Sequence, residues 1–222
     1  MSYGLKYRLL FDSVSGIPYE IKILESGYTG AVELRSLGNA PILKMDDNDA
    51  VHGTSLEVNI ETKFEGDLKE FYTVDSKKFR VEVWREDVLF WGGYVLPELY
   101  SEPYISAPFD ISVTASDGLG ILKNIDFELS GEHSIFEIIS YCCGQTGLQL
   151  NYVFASSLYA NGMDETEVMH TQTLLCCDTF TEESCYEVLE KILISLGAYI
   201  KQKDGKWYIL RYTDQDVDFL EY

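Results

Sequence analysis

Phe79-Arg80-Val81-Glu82-Val83-Trp84, the turn Arg85-Glu86-Asp87 and the return from Val88 to Val95 decide the fold class. Apolar and polar residues alternate across the first run, the two-residue period of a strand with one buried and one wet face. The acidic turn and the apolar return make its partner strand. Leu56-Glu57-Val58-Asn59-Ile60-Glu61 alternates in the same way, and Phe109 to Ala115 is the last clear run of this kind. Upstream, Leu5 to Phe11 and Ile17 to Leu24 flank the turn-rich Asp12-Ser13-Val14-Ser15-Gly16 and read as an opening hairpin. Gly27 and Gly30 punctuate a stretch that continues from Ala31 to Leu37. Short strands at this spacing predict a β-barrel or sandwich-like domain over residues 1–128.

The period then changes. Ser134-Ile135-Phe136-Glu137 has the Ser-x-x-Glu form of a capping box, in which hydroxyl and carboxylate each satisfy an otherwise unpaired backbone N–H. Ile135, Ile138, Ile139 and Cys142 follow at helical spacing, and Gly147 supplies a stop. Ser184-Cys185-Tyr186-Glu187 repeats the form, with Val188, Leu189, Ile192, Leu193 and Leu196 as its stripe and Gly197 as its end. Each helix leads into an apolar strand, Leu148 to Phe154 and Ala198 to Lys203. This is either an internal duplication or two independent uses of one helix-to-strand grammar, and the second is the preferred reading. Asp204-Gly205 turns a closing hairpin into Lys206 to Tyr212. The polar stretch from Ala155 to Thr173 reads as a surface loop. Residues 129–222 thus predict a small α+β domain, and the whole chain a strand-rich α+β protein.

Composition narrows the function. The 37 acidic residues against 17 basic ones give a formal charge of −20, which repels a phosphate backbone and argues against a nucleic-acid partner. No apolar run is long enough to cross a membrane as a helix. Met1 to Arg8 alternates instead of forming a signal-peptide core, so it reads as the start of a strand. The 16 Tyr, 11 Phe and 3 Trp suit half-buried strand positions and interface cores alike. Cys142, Cys143, Cys176, Cys177 and Cys185 are odd in number and adjacent in pairs, which is wrong for zinc knuckles; they read as free thiols serving as small buried side chains.

Chemistry is not apparent. There is no phosphate-cradling Gly-x-x-x-x-Gly-Lys, no Gly-x-Gly-x-x-Gly after a strand and no Gly-x-Ser-x-Gly elbow. His52, His133 and His170 have no local partner signature. Asp46-Asp47-Asn48-Asp49 lacks the glycine and glutamate register of a calcium loop and reads as a solvated turn. Glu182 and Glu183 complement the dipole of the helix they precede. The expectation is a non-enzyme with no cofactor, no metal and no catalytic residue.

The Phe90 to Asn124 stretch has its own logic. Gly92 and Gly93 after Trp91 suggest a bulge or a close backbone approach. Pro97 and Pro103 bar a central strand and leave a crossover or an edge. Asp117-Gly118 makes a tight turn, after which Leu119 and Leu122 pack a short helical turn beneath the barrel. In order and spacing this stretch resembles tail proteins of phages and prophages related to baseplate hub and tail-tip proteins. There a strand ending in Trp-x-Gly precedes a Pro-containing crossover and a strand closing on Asp-Gly-Leu-x-x-Leu-Lys. The likeness continues in the opening hairpin, the Gly27 to Gly30 turn, Ser184 to Glu190 and Gly205-Lys206-Trp207-Tyr208-Ile209.

The resemblance implies β-barrel-like domains assembling with other tail proteins, often as trimers, in the virion tail after assembly in the host cytoplasm. Trp91, Gly92, Gly93, Pro97, Pro103, Asp117, Gly118, Leu119 and Leu122 are its candidate assembly motif. Hub proteins of this kind are commonly longer, so the expectation is either a short member or a chain lacking a C-terminal part. The alternative function is a carbohydrate- or surface-binding module with a groove of exposed aromatics, for which Trp84, Trp91 and Trp207 are the candidates.

Overall fold

The computed structural model describes residues 2–103, 105–155, 169–212 and 219–221. The chain divides into two compact units, one of residues 1–45 and 54–117, the other of residues 46–53 and 118–222. The change of unit falls at Asp117–Gly118, and a short internal segment crosses over to the second unit.

In the first unit, β1 (Tyr3–Asp12) and β2 (Pro18–Ser26) form the opening hairpin, followed by β3 (Glu33–Leu34) and β4 (Ile42–Met45). β5 (Val51–His52) belongs to the other unit. β6 (Thr54–Glu61), β7 (Phe79–Arg85), β8 (Val88–Val95) and β9 (Asp110–Ser116) complete an eight-stranded sheet of order β3-β1-β2-β7-β8-β9-β6-β4. Its inward faces carry the alternation read from the sequence: Leu9, Ile21, Ile23, Val58, Ile60, Val81, Ile111 and Val113 are buried. Burying such side chains contributes about 1.5–3 kcal/mol each, which is why the two-residue period holds so strictly.

The sheet is not a closed barrel. Within the Ala31 to Leu37 stretch only Glu33 and Leu34 form a ladder with β1, and the chain then crosses to the far end of β6 through a single bridge, Leu37 to Ile60. The remainder of that β6 edge is taken by β4. One mouth of the curled sheet is plugged by Leu68 and Phe71, both fully buried, at the N-cap and the last residue of the 3-10 turn Lys69–Phe71. Phe71 meets Phe79 edge-on, with ring centres 4.8 Å apart.

In the second unit, β10 (Glu132–Ser134) leads into α1 (Ile135–Gln145), then β11 (Tyr152–Ala155), α2 (Met169–Gln172), β12 (Leu174–Cys176), α3 (Cys185–Ser195), β13 (Ala198–Lys203), β14 (Lys206–Arg211) and β15 (Phe219–Glu221). Both capping boxes form in full, from Ser134 with Glu137 and Ser184 with Glu187. Gly147 and Gly197 adopt positive φ just beyond the two helices, the left-handed conformation that ends a helix without a Cβ penalty. Asp204 and Gly205 are both left-handed, the requirement of a tight hairpin whose twist matches its strands.

The main sheet of this unit runs β15-β11-β14-β13-β5. β11 lies parallel to β14 and β13 antiparallel to it, so the two helix-to-strand units deliver strands running in opposite directions. The loop expected from Ala155 to Thr173 lies largely outside the described residues, but Met169 to Gln172 is a helical turn that carries a buried His170.

Candidate assembly site

The residues of the Phe90 to Asn124 stretch serve three separate jobs. Trp91 is fully buried on β8, and its indole N–H donates to Thr54 Oγ1 at 2.8 Å. Thr54 Oγ1 donates in turn to Asp117 Oδ2 at 2.6 Å, and the Thr54 backbone N–H donates to the same oxygen at 2.7 Å. The Asp117 N–H closes the loop on the Thr54 carbonyl. One threonine thereby satisfies the buried indole N–H and one oxygen of the buried carboxylate, which offsets part of the desolvation cost that each carries.

The bulge lies at Phe90, two residues ahead of Gly92, where the β7–β8 register shifts. Gly93 makes the close approach: a Cβ there would stand 2.4 Å from both the Ser116 carbonyl oxygen and the Trp91 ring. Gly92 has open space, with Val81 O at 3.9 Å as its neighbour. Pro97 is buried at the start of a 3-10 turn, while Pro103 borders an open hollow.

Gly118 adopts φ +83°, and Leu119 and Leu122 are fully buried on the 3-10 helix Leu119–Asn124. That helix packs against α1 and α3 of the second unit, so the two leucines do not serve the β-sheet core expected of them. Their spacing was legible; the core they enter was not. The aromatic-groove candidates also change. Trp91 and Trp207 are 1% and 0% exposed, so they do not form a surface of exposed aromatics, although Trp91 lies at the floor of an apolar cleft; Trp84 is half-buried beneath the Lys22 ammonium.

Sequence reasoning missed the polar cluster at the plugged mouth. Arg35 is buried and grips Asp67 in a two-pronged contact at 2.6 and 3.0 Å. Its guanidinium also lies 5.0 Å from the Tyr7 ring centre. Tyr7 donates to Glu70, and Lys6 pairs with both Glu25 and Glu70 at 2.8 and 2.7 Å. The Arg35 hydrogen bonds hold Asp67 below the usual carboxylate range, and Glu25 is held low, against its own burial, by Lys6 and Lys78. The partners are 19 to 64 residues apart in the chain, and no local pattern marks them.

Among the described residues no group of histidine, cysteine and carboxylate side chains is placed to hold a metal. A hollow of about 570 Å³ lies between Glu65 and Glu102. Glu102 accepts the Gly66 N–H at 2.7 Å, and no histidine, thiol or lysine is among the described residues of its lining. Cys142, Cys143, Cys177 and Cys185 are buried as expected, whereas Cys176 is exposed; all five are free thiols. Burial and stacking on Phe154, ring centres 4.0 Å apart, accompany a His170 imidazole pushed down to about 4 by desolvation.

One group of exposed apolar residues of the first unit lies on the β4 side. Ile42, Leu43 and Met45 are each about half exposed, together with Leu10 and Leu34. An apolar cleft of about 170 Å³ opens between Phe11, Tyr19, Pro41, Leu43 and Phe90 at the unplugged mouth.

The fold is similar to those of two solved prophage or bacterial tail proteins. The 43 kDa tail protein of prophage MuSo2 from Shewanella oneidensis matches over 88% of this chain with TM-score 0.53 and 15% identity. A tail protein from Neisseria meningitidis MC58 matches over 88% with TM-score 0.51 and 14% identity. The chain spans about half the length of these neighbours, 54% and 52% respectively. No protein-family profile and no curated protein matches the sequence.

Proposed function

We propose that this chain is a non-catalytic structural component of a phage-type tail, placed at the baseplate hub or tail tip and working by protein–protein assembly. The observation that carries this reading is a fold shared over 88% of the chain with a prophage tail protein. The surface supports it: half-exposed Ile42, Leu43 and Met45 form an apolar edge of the kind that marks an interaction site on a soluble protein. Trp91, Gly92, Gly93, Pro97, Asp117, Gly118, Leu119 and Leu122 act as scaffold for assembly through buried contacts, while Pro103 is exposed at an open hollow. Residues 1–128 and 129–222 are proposed as its domains, with the change of unit at Asp117–Gly118 and the transfer of residues 46–53 as refinements. Its partners are other tail proteins and, by resemblance, further copies of itself in a trimer, in the virion tail after assembly in host cytoplasm.

The test is to purify particles from a producing strain and label the protein with antibody in electron micrographs. Labelling at the distal tail, and loss of complete tails when the gene is deleted, is the expected result. Complete, infective particles that lack the protein would refute the proposal.

A further inference from the structure

The strand order leaves a seam. On one side stands β4, the terminal strand, with one edge paired to β6 and the other unpaired among the described strands. On the other side stands the end of β1, whose partner β3 reaches only Tyr7 and Arg8 and leaves the outer edge beyond Arg35 without a ladder. Both sides border one opening, because Phe11 of β1 and Leu43 of β4 line the same apolar cleft. Alternate backbone N–H and C=O groups of a strand point to each edge, so both sides present groups that an added strand would pair.

We propose that this seam accepts one extended segment of a partner polypeptide, apolar at alternate positions and basic at its ends, inserted beside β4 to close the sheet. The inward residues of such a segment meet the cleft between Phe11, Tyr19 and Phe90, whose volume of about 170 Å³ suits one or two aliphatic side chains. Its outward residues lie beside Leu10, Leu34 and Ile42, which are 54%, 63% and 47% exposed.

The charge of the rim sets the ends of the segment. Asp12 is exposed opposite Pro18, and Glu86 donates its backbone N–H to the Pro18 carbonyl, which brings the exposed Glu86-Asp87 turn to the same mouth. The cations nearby are engaged: Arg85 lies 5.2 Å from the Phe90 ring centre and Lys44 pairs with Glu57 at 2.8 Å. An acidic rim around an apolar slot favours lysine or arginine at the ends of the incoming strand, in a chain of charge −20. Strand addition of this kind takes its affinity from main-chain bonds and its specificity from the side-chain pockets. The seam deepens the assembly reading by naming the chemistry of a partner.

The probe is an acetylated, amidated peptide, Lys-Lys-Val-Thr-Val-Thr-Val-Lys-Lys, titrated into the full chain. Amide exchange should slow at Leu9–Asp12 and Ile42–Met45 on saturation. A peptide with proline at the central valine lacks the N–H the ladder needs, and one with glutamate in place of every lysine meets the rim with like charge. Each should bind at least about tenfold more weakly, equivalent to about 1.4 kcal/mol. Leu43→Asp should abolish binding; Ile42→Lys, at a half-exposed edge position, should weaken it while circular dichroism stays unchanged. Equal binding of the proline peptide, protection elsewhere in the chain, or binding indifferent to both substitutions would overturn the proposal. So would self-association of the free protein that slows exchange at the same amides, since the occupant would then be a second copy. The assay uses no tail particle, so its failure leaves the tail-assembly reading intact, and absence of the protein from tails leaves the seam intact.

Discussion

Replacing Asp117 by alanine should destabilise the first unit more than any other change in the Phe90 to Asn124 stretch. Asp117 is fully buried, and its Oδ2 accepts from both the backbone N–H and the hydroxyl of Thr54. Truncation leaves two buried donors facing a small void. Hydrogen bonds to a charged group are worth about 1.5–3 kcal/mol each, so the loss should be about 3–6 kcal/mol. A stability of roughly 5–15 kcal/mol is usual for a domain, so this is a large part of the whole. With a urea dependence of about 2 kcal/mol per molar, the midpoint should fall by about 1.5–3 M. Asparagine keeps an acceptor and loses the charge, so Asp117→Asn should cost about 1–2 kcal/mol. Urea titration followed by tryptophan emission measures the change. Amide exchange of β6 and β9 checks that the transition belongs to the first unit, because a two-unit chain need not unfold in one step. If alanine and asparagine behave alike and each costs less than about 0.5 kcal/mol, the Trp91–Thr54–Asp117 relay does not contribute as argued.

Other consequences can be measured on the same protein. Arg35→Ala should cost about 3–5 kcal/mol, because it leaves the buried Asp67 carboxylate without its cation. Asp67 and Glu25 are held below their unfolded values, so the unfolded state binds more protons in acid. Their contribution is fully present above the ordinary carboxylate range and lost as pH falls through the folded values; urea midpoints from pH 6 to 2 should therefore fall, and less steeply in Arg35→Ala. Gly93→Ala should cost about 1–3 kcal/mol, since its Cβ would overlap Ser116 O and Trp91, whereas Gly92→Ala should be near neutral; equal thermal midpoints for the two would refute the close approach. His170, neutral down to about 4 when folded but titrating near its usual 6.5 when unfolded, should make stability fall as pH drops from about 6.5 to 4. His170→Phe should remove that part of the pH dependence in second-unit amide exchange.

Much of the architecture was legible because it is local. A strand with one wet face must alternate, so Leu56 to Glu61 and Phe79 to Trp84 declared themselves. A helix must satisfy its first N–H groups, so Ser134 with Glu137 and Ser184 with Glu187 marked both starts. Asp204-Gly205 announced a hairpin because two successive left-handed residues are needed there. The candidate site was legible only as a pattern: Trp91, Gly93 and Asp117 were singled out, while Thr54, which joins two of them, stands 37 residues before Trp91 and 63 before Asp117.

The sequence by itself determined the periods, caps and turns, and excluded a strongly basic surface. Only the tertiary structure decided that the sheet stays open, that Leu119 and Leu122 enter the second unit's core, and that β5 joins β13 in parallel through Val51 and Ile200. A two-residue strand has no period to read, and its pairing is fixed by bonds to a segment some 150 residues away in the chain. Whether a buried leucine or a two-residue strand serves one core or the other depends on which apolar surface it removes from water, and that is settled only when the whole chain has folded.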